Sequence, residues 1–263
     1  MAGSSGPTLY SARQVALIRE SGKIVAKCLE LIREIIAPGV TTRQLDAAVT
    51  ELIVSHGARS PFKGYQFPKK TPFPGSLCAS VNDVIVHGLP DDKLLKEGDL
   101  VSIDVGVWKD GYIADSAWTF PVGEPDPAAK KLLQAGEDAL NAGLKAMRPN
   151  GKMGELSRAI QSLVEGRGYS VVREYVGHGV GHSLHEEPQV PNYVQLKDLI
   201  PLMGVTLRPG YVLAVEPMVN EFRADVVSHG NDWPVRTKDG GRSVHFEHTV
   251  AVLKDGIEIM TLP

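Results

Sequence analysis

Two acids, Asp104 and Asp115, lie in the stretch DLVSIDVGVWKDGYIADSAWTF, residues 99–120. Val101, Ile103, Val105 and Val107 alternate with Ser102, Asp104 and Gly106, the period of two that a strand requires. Asp110-Gly111 is a strong hairpin signal, because a two-residue type I′ turn needs positive φ at both central positions. With that turn, residues whose numbers sum to 221 (110 + 111) face each other. Gly106 then faces Asp115, and Asp104 stands two residues along on the same face. The carboxylates become diagonal neighbours, their backbones roughly 7 Å apart. Like charges that close repel, and a cation between them removes the conflict. The other reading of a lone hairpin is a pair of solvated acids on an edge.

A repeat decides between the two. APGVTTRQLDAAVTELIVSHG (37–57) superposes on RPNGKMGELSRAIQSLVEGRG (148–168) at an offset of 111. Leu45 falls on Leu156, Ala48 on Ala159, Leu52 on Leu163 and Gly57 on Gly168. Downstream, aligning Gly98 with Gly210 sets Asp104 over Glu216, and the following strands set Asp115 over Glu247. His87-Gly88 holds the same relative place as His178-Gly179. Two copies of a helix–helix–strand–hairpin unit would therefore each deliver two carboxylates to one hollow, with His178 beside them. Leaving four carboxylates there unpaired is prohibitive, since each buried ion costs several kcal/mol. Two divalent metal ions remove that cost, and a carboxylate set with one imidazole suits Co, Mn, Fe or Zn. Two such ions about 3.5–4 Å apart hold a water between them and lower its pKa, which makes hydroxide available for hydrolysis.

The elements that must position these groups follow from the rest of the chain. An apolar stripe of Val15, Ile18, Val25, Leu29, Ile32 and Ile36 predicts a helix from Ser11 to Ala37. A second helix runs from Thr42, as N-cap, to His56. Leu77–His87 reads as one strand, Asp126-Pro127 opens a third helix, and a fourth spans 154–165. Ser170–Val176 and Tyr211–Val215 read as strands, with a strand pair around Val235–Val252. The expected architecture is α+β: one curved, mostly antiparallel sheet of about six strands with helices on its outer face. Residues 1–10 are expected to be a loose tail, and 11–263 one domain with halves at 11–125 and 126–263.

Composition narrows the function classes. The chain has 263 residues, 43% of them hydrophobic, and a net charge of −3 without a basic run, so a nucleic-acid or membrane-surface partner is not indicated. Two cysteines, Cys28 and Cys78, give no disulfide framework, which fits a reducing cytoplasm. No apolar run reaches the roughly 18 residues of a membrane span, and the first ten residues carry no signal-peptide core.

SVNDVIVHGLP (80–90), LVSIDVG with KDGYIAD (100–115), GHGVGHSLHEEPQV (177–190), LAVEPMV (213–219) and TKDGGRSVHFEHTV (237–250) resemble the motifs of the type I methionine aminopeptidases, a metallopeptidase family of pita-bread fold. The resemblance covers about Ser11 to Leu262. It implies Asp104, Asp115, His178, Glu216 and Glu247 as ligands of two metal ions and His87 and His185 as catalytic histidines. It further implies that Glu216 shuttles the proton of the attacking hydroxide, that His185 meets the scissile carbonyl and that His87 meets the amide. The substrate side chain would lie among Tyr65, Cys78, Tyr175, Leu184 and Trp233. Substrates would be N-termini of nascent polypeptides, met at the ribosome by a cytoplasmic monomer, with methionine removed when the second residue is small. Two positions depart from the family: Leu184 stands where an aromatic is usual, which implies a wider pocket, and Gly106 stands where a hydroxyl residue is usual. The segment 191–207 is expected to be a few residues longer than usual. Two alternatives share the fold. An X-Pro peptidase usually carries a large additional N-terminal domain, whereas only ten residues precede the first helix here. A non-catalytic binding protein should have lost ligands, and all five are present.

Overall fold

The computed structural model describes residues 6–194 and 200–262. In chain order it contains α1 (Ala12–Ile35), α2 (Thr42–Ser55), β1 (Leu77–Val81), β2 (Val84–Val86), β3 (Leu100–Lys109) and β4 (Tyr112–Pro121). The second half contributes α3 (Pro127–Ala146), α4 (Met153–Gly166), β5 (Ser170–Val171), β6 (Gly177–Gly179), β7 (Glu186–Val190) and α5 (Ile200–Met203). It ends with β8 (Val212–Val215), β9 (Met218–Asn220), β10 (Val226–Ser228), β11 (Val235–Thr237), β12 (Ser243–His245), β13 (His248–Val252) and β14 (Ile257–Ile259).

The hairpin forms in the expected register. Gly106 pairs with Asp115 and Asp104 with Ala117, and ten residue pairs run unbroken from Leu100–Pro121 to Lys109–Tyr112. Asp110 and Gly111 have φ of 49° and 90°, as a type I′ turn requires. The repeat is equally visible. The starts of α2 and α4, Thr42 and Met153, differ by 111 residues, and so do their ends, Ser55 and Gly166. Ahead of α2, Gly39 N–H donates to Leu95 O and Leu95 N–H to Val40 O. Ahead of α4, Asn150 N–H donates to Leu207 O and Leu207 N–H to Gly151 O.

Each half has its own core. Ile24, Val25, Ile32, Leu45, Val49 and Ile53 of α1 and α2 pack on Leu77, Val101, Ile103 and Val105. Leu132, Leu140, Leu156 and Ile160 of α3 and α4 pack on Leu213, Val215, Val219 and Val250. Trp118 packs against both.

Several elements differ from expectation. The strands divide into four ladders, β1-β3-β4, β10-β11-β2, β12-β9-β5 and β14-β13-β8-β6-β7, instead of one sheet of about six. The halves are stitched where β4 runs beside 245–249: Glu247 N–H donates to Ala117 O at 2.8 Å, and Thr119 Oγ1 to His245 O at 2.9 Å. The strand expected over Leu77–His87 is two, split by a turn at Asn82 with φ of 54°. Thr41, not Thr42, caps α2, because Gln44 three residues on completes a reciprocal capping box with it. Ser170–Val176 is strand only at 170–171. Tyr10, at the end of the expected tail, is 5% exposed, and its amide donates to Gly210 O. Residues 195–199, within the segment expected to be long, lie outside the described residues.

Candidate metal centre and substrate pocket

β3 and β4 deliver Asp104 and Asp115 on one pleat face. Asp104 stands directly across β1–β3 from Cys78. The Asp115 carboxylate accepts from Thr249 Oγ1 at 3.0 Å, so a hydroxyl from the second half orients an acid of the first. Glu216 lies between β8 and β9 and Glu247 between β12 and β13. His178 is central in β6.

These five side chains line one cavity of about 80 Å³. Ligand atoms of Asp115, His178 and Glu247 all lie within 4.8 Å of one another. His178 Nε2 is 3.5 Å from Glu216 Oε1 and 3.7 Å from Asp115 Oδ2. Among the described residues no Lys or Arg forms an ion pair with any of the four acids. Burial pushes Asp104 and Glu216 up to about 8, and the mutual repulsion of the carboxylates adds to the shift. Asp115 and Glu247 move the same way for the same first cause.

His245 also lines the cavity, and the sequence reading missed it. Its Nε2 is buried without a hydrogen-bond partner and stands 3.4 Å from Glu216 Oε2. The signal was available: His245 and Glu247 are two residues apart in an alternating stretch and so share a face. Four desolvated acids, an orphaned imidazole nitrogen and no basic partner make a donor set that fits a divalent cation bound by oxygen and nitrogen.

The remaining cavity wall is apolar: Phe62, Phe73, Cys78, Leu184 and Trp233 pack in one cluster with half-buried Tyr65 against it. Trp233 Nε1 donates to Thr71 O at 2.8 Å, and Phe73 meets the Trp233 ring edge-on at 5.3 Å. These contacts pin the Pro/Lys-rich loop over the site. Phe62 and Phe73 are wall residues that the sequence reading did not name. Tyr175 does not line the cavity. It packs edge-to-face behind His87, ring centroids 5.6 Å apart.

Both expected catalytic histidines face the cavity. His87 has φ of 61°, a left-handed conformation uncommon outside glycine and typical of functional strain. Gly88 behind it is obligatory, since a Cβ there would lie 2.0 Å from Ala79 O. Burial lowers His87 to about 4, assisted by the Lys70 charge, and lowers His185 to about 3. Both rings are neutral near pH 7. Tyr65 Oη is 3.0 Å from His185 Nδ1.

The comparisons with known proteins agree with this geometry. Residues 16–254 match the model of metallopeptidase family M24. Methionine aminopeptidase 1 of Bacillus subtilis (strain 168) is 45% identical over 249 residues, 95% of this chain and 96% of that protein. The crystal structure of methionine aminopeptidase from Rickettsia prowazekii superposes with a TM-score of 0.91 at 38% identity, covering 97% of this chain and 100% of that one. The Thermotoga maritima methionine aminopeptidase structure gives 0.91 at 39% identity, covering 98% and 100%. The fold is thus the pita-bread fold of these enzymes. Prolidase from Pyrococcus furiosus shares the fold alone, with a TM-score of 0.73 at 22% identity, and this chain covers 65% of it. Likeness over the whole length, joined to an acid-lined cavity beside a narrow apolar wall, makes the chain a divalent-metal-using metallo-exopeptidase of family M24 and a member of the methionine aminopeptidases.

Proposed function

We propose that this enzyme removes the N-terminal methionine from nascent polypeptides whose second residue is small. The observation that carries the reading is the junction in one cavity of five metal-type ligands, two neutral histidines and an apolar wall. Asp104, Asp115, His178, Glu216 and Glu247 would hold two ions, drawn from Mn, Fe, Co and Zn. Bound there, the ions supply Lewis acidity that polarises the scissile carbonyl and acidifies a water.

The chain's own residues do the rest. Glu216 takes a proton from the attacking water and passes it to the leaving amine. Tyr65, donating to His185 Nδ1, keeps the ring proton on Nε2, where it meets the carbonyl oxygen as negative charge develops. His87, neutral and fixed by its strained backbone, contacts the scissile amide. The free amino group of the substrate is oriented by Asp104. The thioether side chain enters the apolar wall beside Cys78, Leu184 and Trp233. The enzyme acts as a monomer, in the cytoplasm and at the ribosome.

Turnover of Met-Ala-Ser and of Ala-Pro by metal-stripped protein, titrated with Mn, Fe, Co and Zn, tests the reading. We expect no turnover without metal, restored cleavage of Met-Ala-Ser, and intact Ala-Pro. Cleavage of Ala-Pro with Met-Ala-Ser left intact would overturn it in favour of an X-Pro peptidase.

A further inference from the structure

Tyr10 does not line the cavity, yet it closes the loop that carries His185. Its amide donates to Gly210 O at 2.7 Å, which ties the start of the chain to the turn ahead of β8. The side chain is buried. Its hydroxyl donates to the Glu186 carboxylate, whose two oxygens lie 2.9 and 2.8 Å away, and accepts from the His182 amide at 2.8 Å. Glu186 Oε1 in turn accepts from the Ser183 amide at 2.8 Å. One phenol from the first residues of the chain thus fixes both ends of the span that runs from His182 to Glu186.

The loop is shaped around this hydroxyl. A Cβ on Gly181 would stand 2.1 Å from Tyr10 Oη, so only glycine fits there. Gly181 O accepts from the Ile113 amide of β4 at 2.7 Å, and Gly181 N–H donates to Ser183 O at 3.1 Å. The His182 ring lies against Tyr10 and Tyr112, with centroids 5.4 and 4.6 Å away. Burial raises the pKa of the phenol, so its proton stays in place near pH 7 and is given to Glu186. His185 is therefore gripped from two directions. Tyr65 meets its ring, and Tyr10 holds its backbone, directly at residue 182 and through Glu186 at 183 and 186.

We propose that Tyr10 is a positioning residue for the reaction: through Glu186 and the loop 181–186 it holds His185 where the ring can meet the scissile carbonyl oxygen. This inference rests on the aminopeptidase reading above and on the role given there to His185. A remote hydroxyl matters because a hydrogen-bond donor aimed at developing charge must be placed to a fraction of an ångström. A shift of about 1 Å can cost on the order of 10²-fold in rate.

Steady-state kinetics on Met-Ala-Ser with Mn test it, for Tyr10→Phe and Glu186→Gln, each alone and combined with His185→Ala. Metal content by mass spectrometry is measured on every protein. Tyr10→Phe keeps the ring and removes only the oxygen. It should lower kcat about tenfold while KM stays within about twofold and metal content is unchanged. Glu186→Gln keeps one acceptor oxygen of two and should lower kcat by about threefold. Once His185 is gone there is nothing left to position, so adding Tyr10→Phe to His185→Ala should lower kcat by less than about twofold further. A general loosening of the fold would cost the same factor in both backgrounds. Glu186→Gln, alone and with His185→Ala, carries the test if Tyr10→Phe fails to fold. An unchanged kcat in Tyr10→Phe and Glu186→Gln, an equal loss with and without His185, or a His185→Ala enzyme of undiminished rate would overturn the proposal. Failure of the unaltered enzyme to cleave Met-Ala-Ser would instead overturn the aminopeptidase reading.

Discussion

The two halves start alike and end differently. α2 and α4 have the same length at an offset of 111 residues, and the segments before them pair in the same pattern. The hairpins then part. In the first half β3 and β4 keep ten consecutive pairs, and both acids sit inside the ladder. In the second half β8 pairs with β13 only as far as Val215–His248, and the chain resumes with β9 on β12. Glu216 and Glu247 fall in the break. Pro217 helps to make it, since proline has no N–H to give to a ladder. An intact hairpin holds its carboxylates rigidly. The broken one leaves its carboxylates outside the ladder, where the Glu216 carboxylate stands 3.5 Å from His178 Nε2 and 3.4 Å from His245 Nε2.

Removing a ligand from the broken hairpin, and beside it a histidine that is not a proposed ligand, tests the second half of this contrast most severely. Glu216 stands in the broken half and serves as both ligand and proton carrier, so Glu216→Ala should lower kcat by about 10³-fold, within the range of general acid–base catalysis. Isothermal titration should show weakened metal binding in the same variant. His185→Ala should lower kcat by about 10²-fold, the loss of one oxyanion donor, with metal content by mass spectrometry unchanged. A Glu216→Ala enzyme that kept both rate and metal would show the break in the second hairpin to be incidental. An undiminished rate in His185→Ala would remove the oxyanion assignment.

Charge packed between the halves gives the next effect. Burial raises Asp104 and Glu216 to about 8, whereas an unfolded chain titrates them near the ordinary value of about 4. A raised folded-state pKa gives stability that is present at low pH and lost as pH climbs through the folded value. The neutral buried His87 and His185, lowered to about 4 and 3, act in the opposite sense and cost stability as pH falls below their ordinary 6.5. Above pH 6.5 only the acids contribute. Metal-free protein should therefore melt at lower temperature at pH 8.5 than at pH 6.5, and the gain in Tm on adding Mn should grow over the same interval. A Tm gain independent of pH would mean that the four acids are not brought together by folding.

Most of this plan was legible because local rules carry it. The Asp110-Gly111 turn and the strict alternation around Asp104 set one register, and the repeat transfers it to Glu216 and Glu247. What escaped depends on irregular backbone or on distance. Phe62 and Phe73 lie in a Pro- and Lys-rich loop without period, and they reach the wall through hydrogen bonds to β3 and Trp233. Tyr175 follows a strand expected to reach it, but β5 stops at Val171, and the ring ends behind His87. The curved antiparallel sheet was legible, but its division into four ladders was not, because Pro217 interrupts the second hairpin.

The smallest expected effect isolates the turn that only the first hairpin has. Gly111 has φ of 90° and lies in open space, so an added Cβ meets no atom within 4 Å and only the backbone objects. Gly111→Ala should cost about 1 kcal/mol, the penalty of an L-residue at positive φ. In a chain of this size that corresponds to a fall in Tm of roughly 2–4 °C. The acids lie several pairs from the turn in a ladder held by ten, so kcat at 25 °C should be unchanged. The second hairpin has no tight turn; residues 221–242 carry β10 and β11 between its arms. Equal losses of Tm and kcat in Gly111→Ala would mean that the turn, not the ladder, holds Asp104 and Asp115 in place, and the first half would then be no more rigid than the second.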